Sequence, residues 1–160
     1  MPGLLQRAAI QVGLVAVEVD GRRFAIAASG VQTILRMVAT TPLLDAPAGV
    51  DGLIDLHGQT VAVVDVRTCL GLERRPALVT DHLVVMDTPR GLLALRVDRA
   101  IEFMDHQDLE QVTAAATGPS NVVRVARTPA GLLVIVDPDA LFEEADWAAV
   151  ADALVEAART

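Results

Sequence analysis

The 160-residue chain contains no lysine and no tyrosine, and its only aromatic residues are three phenylalanines and one tryptophan. With aromatics at 2% of the residues, stacking of nucleic-acid bases on aromatic side chains is close to excluded as a binding mode. All thirteen cations are arginines, the formal net charge is −8 and the pI is about 4.7. Because a net-acidic chain without a basic stripe binds polyanions poorly, we expect no nucleic-acid partner and no anionic membrane partner.

Long apolar runs and cysteine pairs are also missing. Although 52% of the residues are hydrophobic, charges interrupt every apolar run well before the roughly 20 residues that a membrane-spanning helix needs. The single cysteine, Cys69, cannot form an internal disulfide, which is typical of a reducing compartment. We therefore expect a soluble cytoplasmic protein without direct membrane insertion.

Short apolar segments separated by turn signals dominate the chain instead, and this pattern predicts an all-β fold. Asp20-Gly21 between two alternating segments is a strong two-residue hairpin signal, because both turn positions need a positive φ. The predicted strands cover residues 12–19, 22–28, 53–57, 60–66, 82–87, 92–98, 100–104, 121–127 and 132–137.

Three connecting stretches receive other predictions. Ser29–Met37 begins with a Ser-x-x-Gln capping signature and favours a short helical turn. The polar, Ala-rich stretch Gln107–Ser120 is typical of a loop, and Glu73–Thr80 indicates a junction between two lobes. The near-identical turns of residues 88–93 (TPRGLL) and 128–133 (TPAGLL) suggest that one hairpin design is used twice in a compact barrel.

The negative charge is concentrated at the end of the chain. Residues 137–160 carry seven carboxylates and one arginine, whereas residues 1–136 carry fourteen carboxylates and twelve arginines. Asp137-Pro138 is a helix-start signal, and the spacing of Trp147, Val150 and Leu154 places them on one face. We therefore predict an acidic amphipathic helix over residues 143–160 that packs through these three residues onto the barrels, within one chain or in a dimer.

No group of residues indicates catalysis or cofactor binding. His57, His82 and His106 lack the spacing of metal ligands, so solvated or locally bonded histidines are expected. Asp55 and Asp65 could form a carboxylate pair, but solvent-facing acids or turn anchors are the preferred interpretation. Cys69 lies in an apolar setting that favours a small core residue over a nucleophile. We expect no enzyme activity, no metal and no cofactor.

The run from Phe24 to Leu72 (FAIAASGVQTILRMVATTPLLDAPAGVDGLIDLHGQTVAVVDVRTCLGL) resembles the CheW-type chemotaxis coupling proteins. Leu93–Ile101 and Leu132–Leu141 match later segments of the family, so the resemblance covers nearly the whole chain. It implies an all-β fold of two intertwined five-stranded SH3-like barrels over residues 10–142, with a hydrophobic seam and a junction near 73–80. It also implies a non-catalytic adaptor between chemoreceptor tips and the regulatory domain of a CheA-type histidine kinase.

The resemblance also implies partner-binding positions. Val31 matches the valine of the family's V-x-E-I motif in the receptor-facing region. Thr33 replaces the glutamate of that motif, so the glutamate–arginine pair of the family is altered. The other implied positions are Gly52, Asp55, His57, Gly58, Asp65 and Arg67, of which Asp55 and His57 replace the asparagine and arginine of N-L-R-G.

Several alternatives remain open at the level of sequence. Gly52 and Gly58 could serve turn geometry alone, and Val31 could be a core valine. Thr33 and His57 could form a hydrogen bond in place of the ion pair, or the changes could be ordinary drift on a tolerant surface. The chain could also be a divergent CheW-like module for another signalling protein, with its C-terminal helix modulating docking, or a β-barrel enzyme or small-ligand binder. Self-association is a further partner expectation.

Overall fold

A computed structural model describes residues 13–88, 91–104, 111–114, 122–129, 131–136, 138 and 144–158. In these residues the chain is mostly β, with one 3₁₀ turn at Ala28–Gly30 and two helices, α1 (Val66–Cys69) and α2 (Glu144–Ala158). The strands are β1 Leu14–Val19, β2 Arg22–Ala27, β3 Val31–Arg36, β4 Val50–Leu56, β5 Gln59–Asp65, β6 His82–Thr88, β7 Gly91–Val97, β8 Arg99–Met104, β9 Gln111–Ala114, β10 Val122–Thr128 and β11 Gly131–Val136.

The strands form two sheets with related orders. The five-stranded sheet runs β3-β6-β7-β5-β4, and the six-stranded sheet runs β8-β1-β2-β11-β10-β9. Read from its other end, the larger sheet repeats the order of the smaller one, with β8 added beyond β1. Each sheet also contains one parallel pair, β5 with β7 and β2 with β11. The expected all-β fold of two intertwined five-stranded units with a C-terminal helix is therefore confirmed, and β8 is an extra strand.

Both predicted types of tight turn are present. Asp20 and Gly21 have φ values of 55° and 71°, and His57 and Gly58 in the equivalent β4–β5 turn have 52° and 86°. The repeated turns also match each other, because Thr88 Oγ1 donates to the Gly91 carbonyl at 2.8 Å and Thr128 Oγ1 donates to the Gly131 carbonyl at 2.9 Å. One copy closes a hairpin in each sheet.

A hydrophobic seam fills the space between the two sheets. The largest core cluster takes buried side chains from both sheets, such as Val17 and Ile26 from one and Val64 and Leu95 from the other. Two smaller clusters each belong to a single sheet. Because strands from distant parts of the chain share the seam, the two sheets form one interlocked body.

Helix α2 packs on this seam within the same chain. Trp147 is only 4% exposed, and Val150 is buried beside it in the same cluster. Leu154 is partly buried against the cluster, and the helix contacts β5. Within the described residues, no helix is long and apolar enough to cross a membrane. The expected helix start at Asp137 lies outside the described residues.

Two stretches differ from their predicted structure. Most of the stretch Ser29–Met37, predicted as a helical turn, is strand: the helical turn is confined to Ala28–Gly30, and Val31–Arg36 pairs with β6 as β3. Its β-branched residues favour an extended backbone, and this preference overrides the capping signature. Similarly, Gln111–Ala114 is not a loop but pairs with β10 as strand β9.

The segment 73–80 does not separate the two sheets. It joins α1 to β6, and the strands on either side of it, β5 and β6, both belong to the five-stranded sheet. The chain changes sheet after β2 and again after β7. The expected junction near 73–80 is therefore corrected to a connection within one sheet.

Candidate functional site

The strand directions give the five-stranded sheet two distinct ends. Strands β3, β5 and β7 run in one direction, while β4 and β6 run in the other. One end therefore carries the start of β3 and the β4–β5 turn, and we call it the hairpin end. The opposite end carries α1 and the segment 70–81, and we call it the cluster end.

Four of the predicted partner-binding residues lie at or next to the hairpin end. Asp55, His57 and Gly58 are exposed at the β4–β5 turn, and Val31 is half-buried at the start of β3. This turn places the His57 side chain at a position with positive φ, next to a glycine that can adopt the same region freely. These residues form an accessible surface.

Thr33 lies on β3, two residues further along the strand, and is half-buried. Strands β3 and β4 are the two end strands of the five-stranded sheet, with three strands between them. Among the described residues, no hydrogen bond joins Thr33 to His57. Of the alternatives left open for these two positions, a direct hydrogen bond in place of the family's ion pair is therefore not present in this structure.

Gly52 is buried in β4 and is required by a close backbone approach. A Cβ atom at this position would lie 2.5 Å from the Thr41 carbonyl oxygen, and φ is +154°. Thr41 and Leu53 exchange two backbone hydrogen bonds of 2.8 Å across the same contact. The glycine thus permits the segment after β3 to lie against β4.

Asp65 is fully buried at the cluster end. Its Oδ1 accepts the Arg67 backbone N–H at 3.0 Å and its Oδ2 accepts the Thr68 hydroxyl at 2.9 Å, so it caps α1. Arg96 Nη2 lies 3.1 Å from the same carboxylate. Of the two earlier interpretations, the turn anchor is correct and the solvent-facing acid is wrong.

Arg67 is also directed into the molecule. Its guanidinium bonds both Asp98 oxygens and contacts Asp20 Oδ1 at 3.3 Å. The polar atoms of Asp65 and Arg67 are thus engaged inside the chain, and the partner-binding role of both residues stays a prediction.

Arg96 is the centre of this interior charge cluster. It is 2% exposed, and its Nε donates to Asp51 at 2.6 Å. Its Nη1 donates to Asp81 at 3.1 Å, and its Nη2 contacts Asp65. A buried guanidinium is tolerated only with such complete pairing, since desolvation of an unpaired charge costs several kcal/mol. We call these residues the Asp–Arg cluster, and its members are Asp20, Asp51, Asp65, Asp81, Asp98, Arg67, Arg75 and Arg96.

Arg75 extends the cluster to the segment between α1 and β6. Its Nη2 donates to both Asp81 and Asp98 at 2.7 Å, and its Nη1 donates to the Pro76 carbonyl at 2.9 Å. Asp98 lies between β7 and β8, where the chain passes from one sheet to the other. The cluster therefore ties this segment to both sheets.

The arginines control the ionisation of the aspartates. Burial alone would raise the pKa of Asp81, but hydrogen bonds from Arg75, the Leu78 backbone and Arg96 hold it below the ordinary 3.8. Burial likewise opposes ionisation of Asp98, and hydrogen bonds from Arg67 and the Asp20 backbone lower its pKa below 3.8. Both groups are carboxylates at neutral pH.

Sequence reasoning missed this cluster. The available signal was Arg96, which interrupts the apolar run Leu92–Val97 inside a predicted strand. A charge in such a run requires a buried partner. Its partners could not be identified, because they lie 15 to 45 positions away in the chain.

The reactive side chains are held in unreactive settings. Burial, followed by the charge of Asp65, raises the pKa of Cys69 to about 12, so its thiol is protonated at neutral pH. His82 Nδ1 accepts the Ala100 backbone N–H at 3.0 Å, which links β6 to β8. Asp55 and Asp65 lie at opposite ends of the sheet. His106 lies outside the described residues, and no group of three metal-ligating side chains occurs within them.

Comparisons with known proteins agree with this architecture. No curated protein matches the chain. Among solved structures, the scaffolding protein TtCheW from Thermoanaerobacter tengcongensis is similar, with a TM-score of 0.72 and 20% sequence identity over 84% of this chain and 94% of that chain. The family model described as the CheW-like domain matches residues 13–146, which include both sheets and the start of α2. The chain belongs to the CheW-like domain family.

Proposed function

We propose that the chain is a non-catalytic adaptor that couples chemoreceptors to a CheA-type histidine kinase in chemotaxis signal transduction. The observation that carries this proposal is the family match across residues 13–146. The two partners are those that membership of the family suggests, the cytoplasmic tip of a receptor and the regulatory domain of the kinase.

The geometry supports a role in docking. The hairpin end presents a short, accessible surface on a sheet that the seam and the Asp–Arg cluster hold rigid. Rigid surfaces bind with little loss of conformational entropy, which suits a scaffold. The raised pKa of the Cys69 thiol makes this residue a poor nucleophile, and Asp55 and Asp65 are too far apart to act as a carboxylate pair. Both observations favour the adaptor function over a β-barrel enzyme.

The proposal is tested by measuring binding of the full chain to a purified receptor cytoplasmic tip and, separately, to the purified kinase regulatory domain. We expect micromolar affinity for both. Binding to neither partner at concentrations well above the micromolar range would reject the adaptor function.

A pair of substitutions examines the hairpin end itself. The double variant Thr33→Glu, His57→Arg restores the residue types of the family, and Arg127→Gln, at an exposed position of β10 in the six-stranded sheet, is the matched control. If the chain docks receptors through this end with an altered contact, the double variant changes receptor affinity and the control does not. Equal affinities for all three proteins would remove the hairpin end from the receptor interface.

A second candidate function is a divergent CheW-like module that binds another signalling protein, with its C-terminal helix modulating docking. It is favoured by the packing of the acidic helix α2 on the seam and on β5. In this case Trp147→Ala, which removes the main anchor of the helix, changes receptor or kinase affinity at a temperature where the variant is folded. If both affinities are unchanged, the helix does not modulate docking and this second candidate function is rejected.

A further inference from the structure

We propose that the cluster end of the five-stranded sheet carries a second docking surface, formed by Val38 and the exposed segment Pro76–Thr80. Its occupant is a protein domain with an uncharged aliphatic face. This inference rests on the proposed function, in which that domain is the regulatory domain of the kinase. We call the surface the 38/76–80 surface.

The two parts of the surface lie side by side. Arg36 pairs with His82, and the Met37 N–H donates to the Asp81 carbonyl at 2.9 Å, so Val38 lies next to the segment that precedes Asp81. The Asp81 N–H donates to the Leu78 carbonyl at 3.0 Å and closes a four-residue turn. Val79 lies within this turn and is 83% exposed.

The surface is aliphatic and uncharged. All five residues of the segment, Pro-Ala-Leu-Val-Thr, are exposed and none carries a charge, in a chain of which 21% is charged. Val38 and Leu78 are also exposed large hydrophobic residues. Exposed apolar residues that lie together mark protein-interaction sites, whereas scattered single ones do not, so the adjacency of Val38, Leu78 and Val79 distinguishes this surface.

Hydrogen bonds from the Asp–Arg cluster hold the backbone of this turn. The buried carboxylate of Asp81 accepts the Leu78 N–H at 2.9 Å and hydrogen bonds from Arg75 and Arg96. Arg75 also bonds the Pro76 carbonyl. The Asp–Arg cluster thus prepares the turn for binding, which lowers the entropic cost of docking.

Charge and position identify the occupant. A second copy is disfavoured, because each chain carries a net charge of −8 and two copies repel each other. Val31, which matches the receptor-facing region of the family, lies next to the hairpin end, at the opposite end of the sheet. An adaptor that holds both partners at once leaves the cluster end to the kinase domain.

The test uses two matched variants of the full chain. Val79→Asp introduces a charge at the exposed tip, where it disturbs no buried contact. Leu132→Asp is the control, because Leu132 is an aliphatic residue, 66% exposed, on the six-stranded sheet. Circular dichroism and thermal melting verify that both variants are folded. Affinity for the isolated kinase regulatory domain and for the receptor tip is then measured for each protein by titration calorimetry.

We expect Val79→Asp to weaken binding to the kinase domain by about tenfold or more and to leave receptor binding unchanged. Leu132→Asp changes neither affinity. Unaltered kinase binding by Val79→Asp overturns the inference while the adaptor function stands. A wild-type dimer that Val79→Asp dissociates in sedimentation experiments overturns it in favour of a second copy. Failure of the wild-type chain to bind either partner instead rejects the proposed function, and the assignment of this surface with it.

Discussion

At the residue scale, Arg96 shows most clearly how the interior of this sheet is organised. Its guanidinium joins Asp51 at the start of β4, Asp65 at the end of β5 and Asp81 before β6. These three carboxylates are buried or nearly so, and the paired guanidinium offsets the cost of removing their charges from water. One arginine therefore fixes the relative positions of three strands.

We predict that Arg96→Met destabilises the protein by about 3–5 kcal/mol, because it leaves buried carboxylates without their partner. The matched control is Arg74→Met, since Arg74 is 61% exposed and its Nη2 is 3.9 Å from Asp51. The control costs less than about 0.5 kcal/mol. Urea unfolding of both variants gives the comparison, and equal losses would show that the cluster contributes nothing beyond surface charge.

The pKa shifts of Asp81 and Asp98 predict loss of stability in acid. Both folded-state pKa values lie below 3.8, so the unfolded chain binds these protons first as the pH falls. The free energy of unfolding is therefore expected to be steady above about pH 5 and to decline below about pH 4, through the lowered folded-state values. Urea unfolding at a series of pH values measures this slope.

Asp98→Asn separates this effect from general acid unfolding. Without the titrating carboxylate, the variant should show a shallower decline between pH 4 and the acid limit, while the exposed Asp87→Asn keeps the wild-type slope. Identical slopes in all three proteins would contradict the assignment of the acid sensitivity to the cluster.

At the scale of elements, helix α2 is held by a small number of apolar contacts. Trp147→Ala removes the largest of them, and we expect a loss of about 3–5 kcal/mol in the free energy of unfolding. Val155→Ala, on the exposed side of the same helix, is expected to cost less than about 0.5 kcal/mol. Because the variant lacks the only tryptophan, circular dichroism follows the unfolding. A negligible cost for Trp147→Ala would mean that the helix is not docked in solution.

The strands and turns could be predicted from the sequence wherever local signals agree with tertiary pairing. Alternation of apolar residues around Asp20-Gly21 predicts β1 and β2, and the repeated turns predict two hairpins of one design, which the structure places in different sheets. Strand β3 was mistaken for a helical turn because a capping signature precedes it, and its strand state depends on β6, far along the chain. Strand β9 is only four residues long and lies in a polar, Ala-rich stretch, so its pairing with β10 defines it.

The candidate site was predictable only in part, for a related reason. Exposed turn residues such as His57 and Gly58 are specified locally, and the predicted strands 53–57 and 60–66 indicate a turn at Gly58. Asp65 and Arg67 belong to the same stretch of sequence, but their environment depends on Arg96 and Asp98, which arrive from β7 and the turn after it. Burial of that kind is set by strand order, which a single sequence does not specify.

At the scale of the whole molecule, two sheets with the same strand order are locked together by an aliphatic seam and by the Asp–Arg cluster. Part of the negative charge near the C-terminus belongs to helix α2, which packs on the seam of the same chain. Beneath it, the five-stranded sheet presents an exposed hairpin at one end and the uncharged 38/76–80 surface at the other. This arrangement places two accessible faces at opposite ends of one sheet, as the proposed adaptor function needs.

The proposed adaptor function requires the chain to bind a chemoreceptor tip and a kinase regulatory domain at the same time. In a capture experiment, the receptor tip is immobilised and retention of the kinase domain is measured with and without the full chain. We expect the kinase domain to be retained only when the chain is present, and we expect Val79→Asp to abolish this retention while Leu132→Asp does not. Kinase capture that the wild-type chain fails to increase would contradict it.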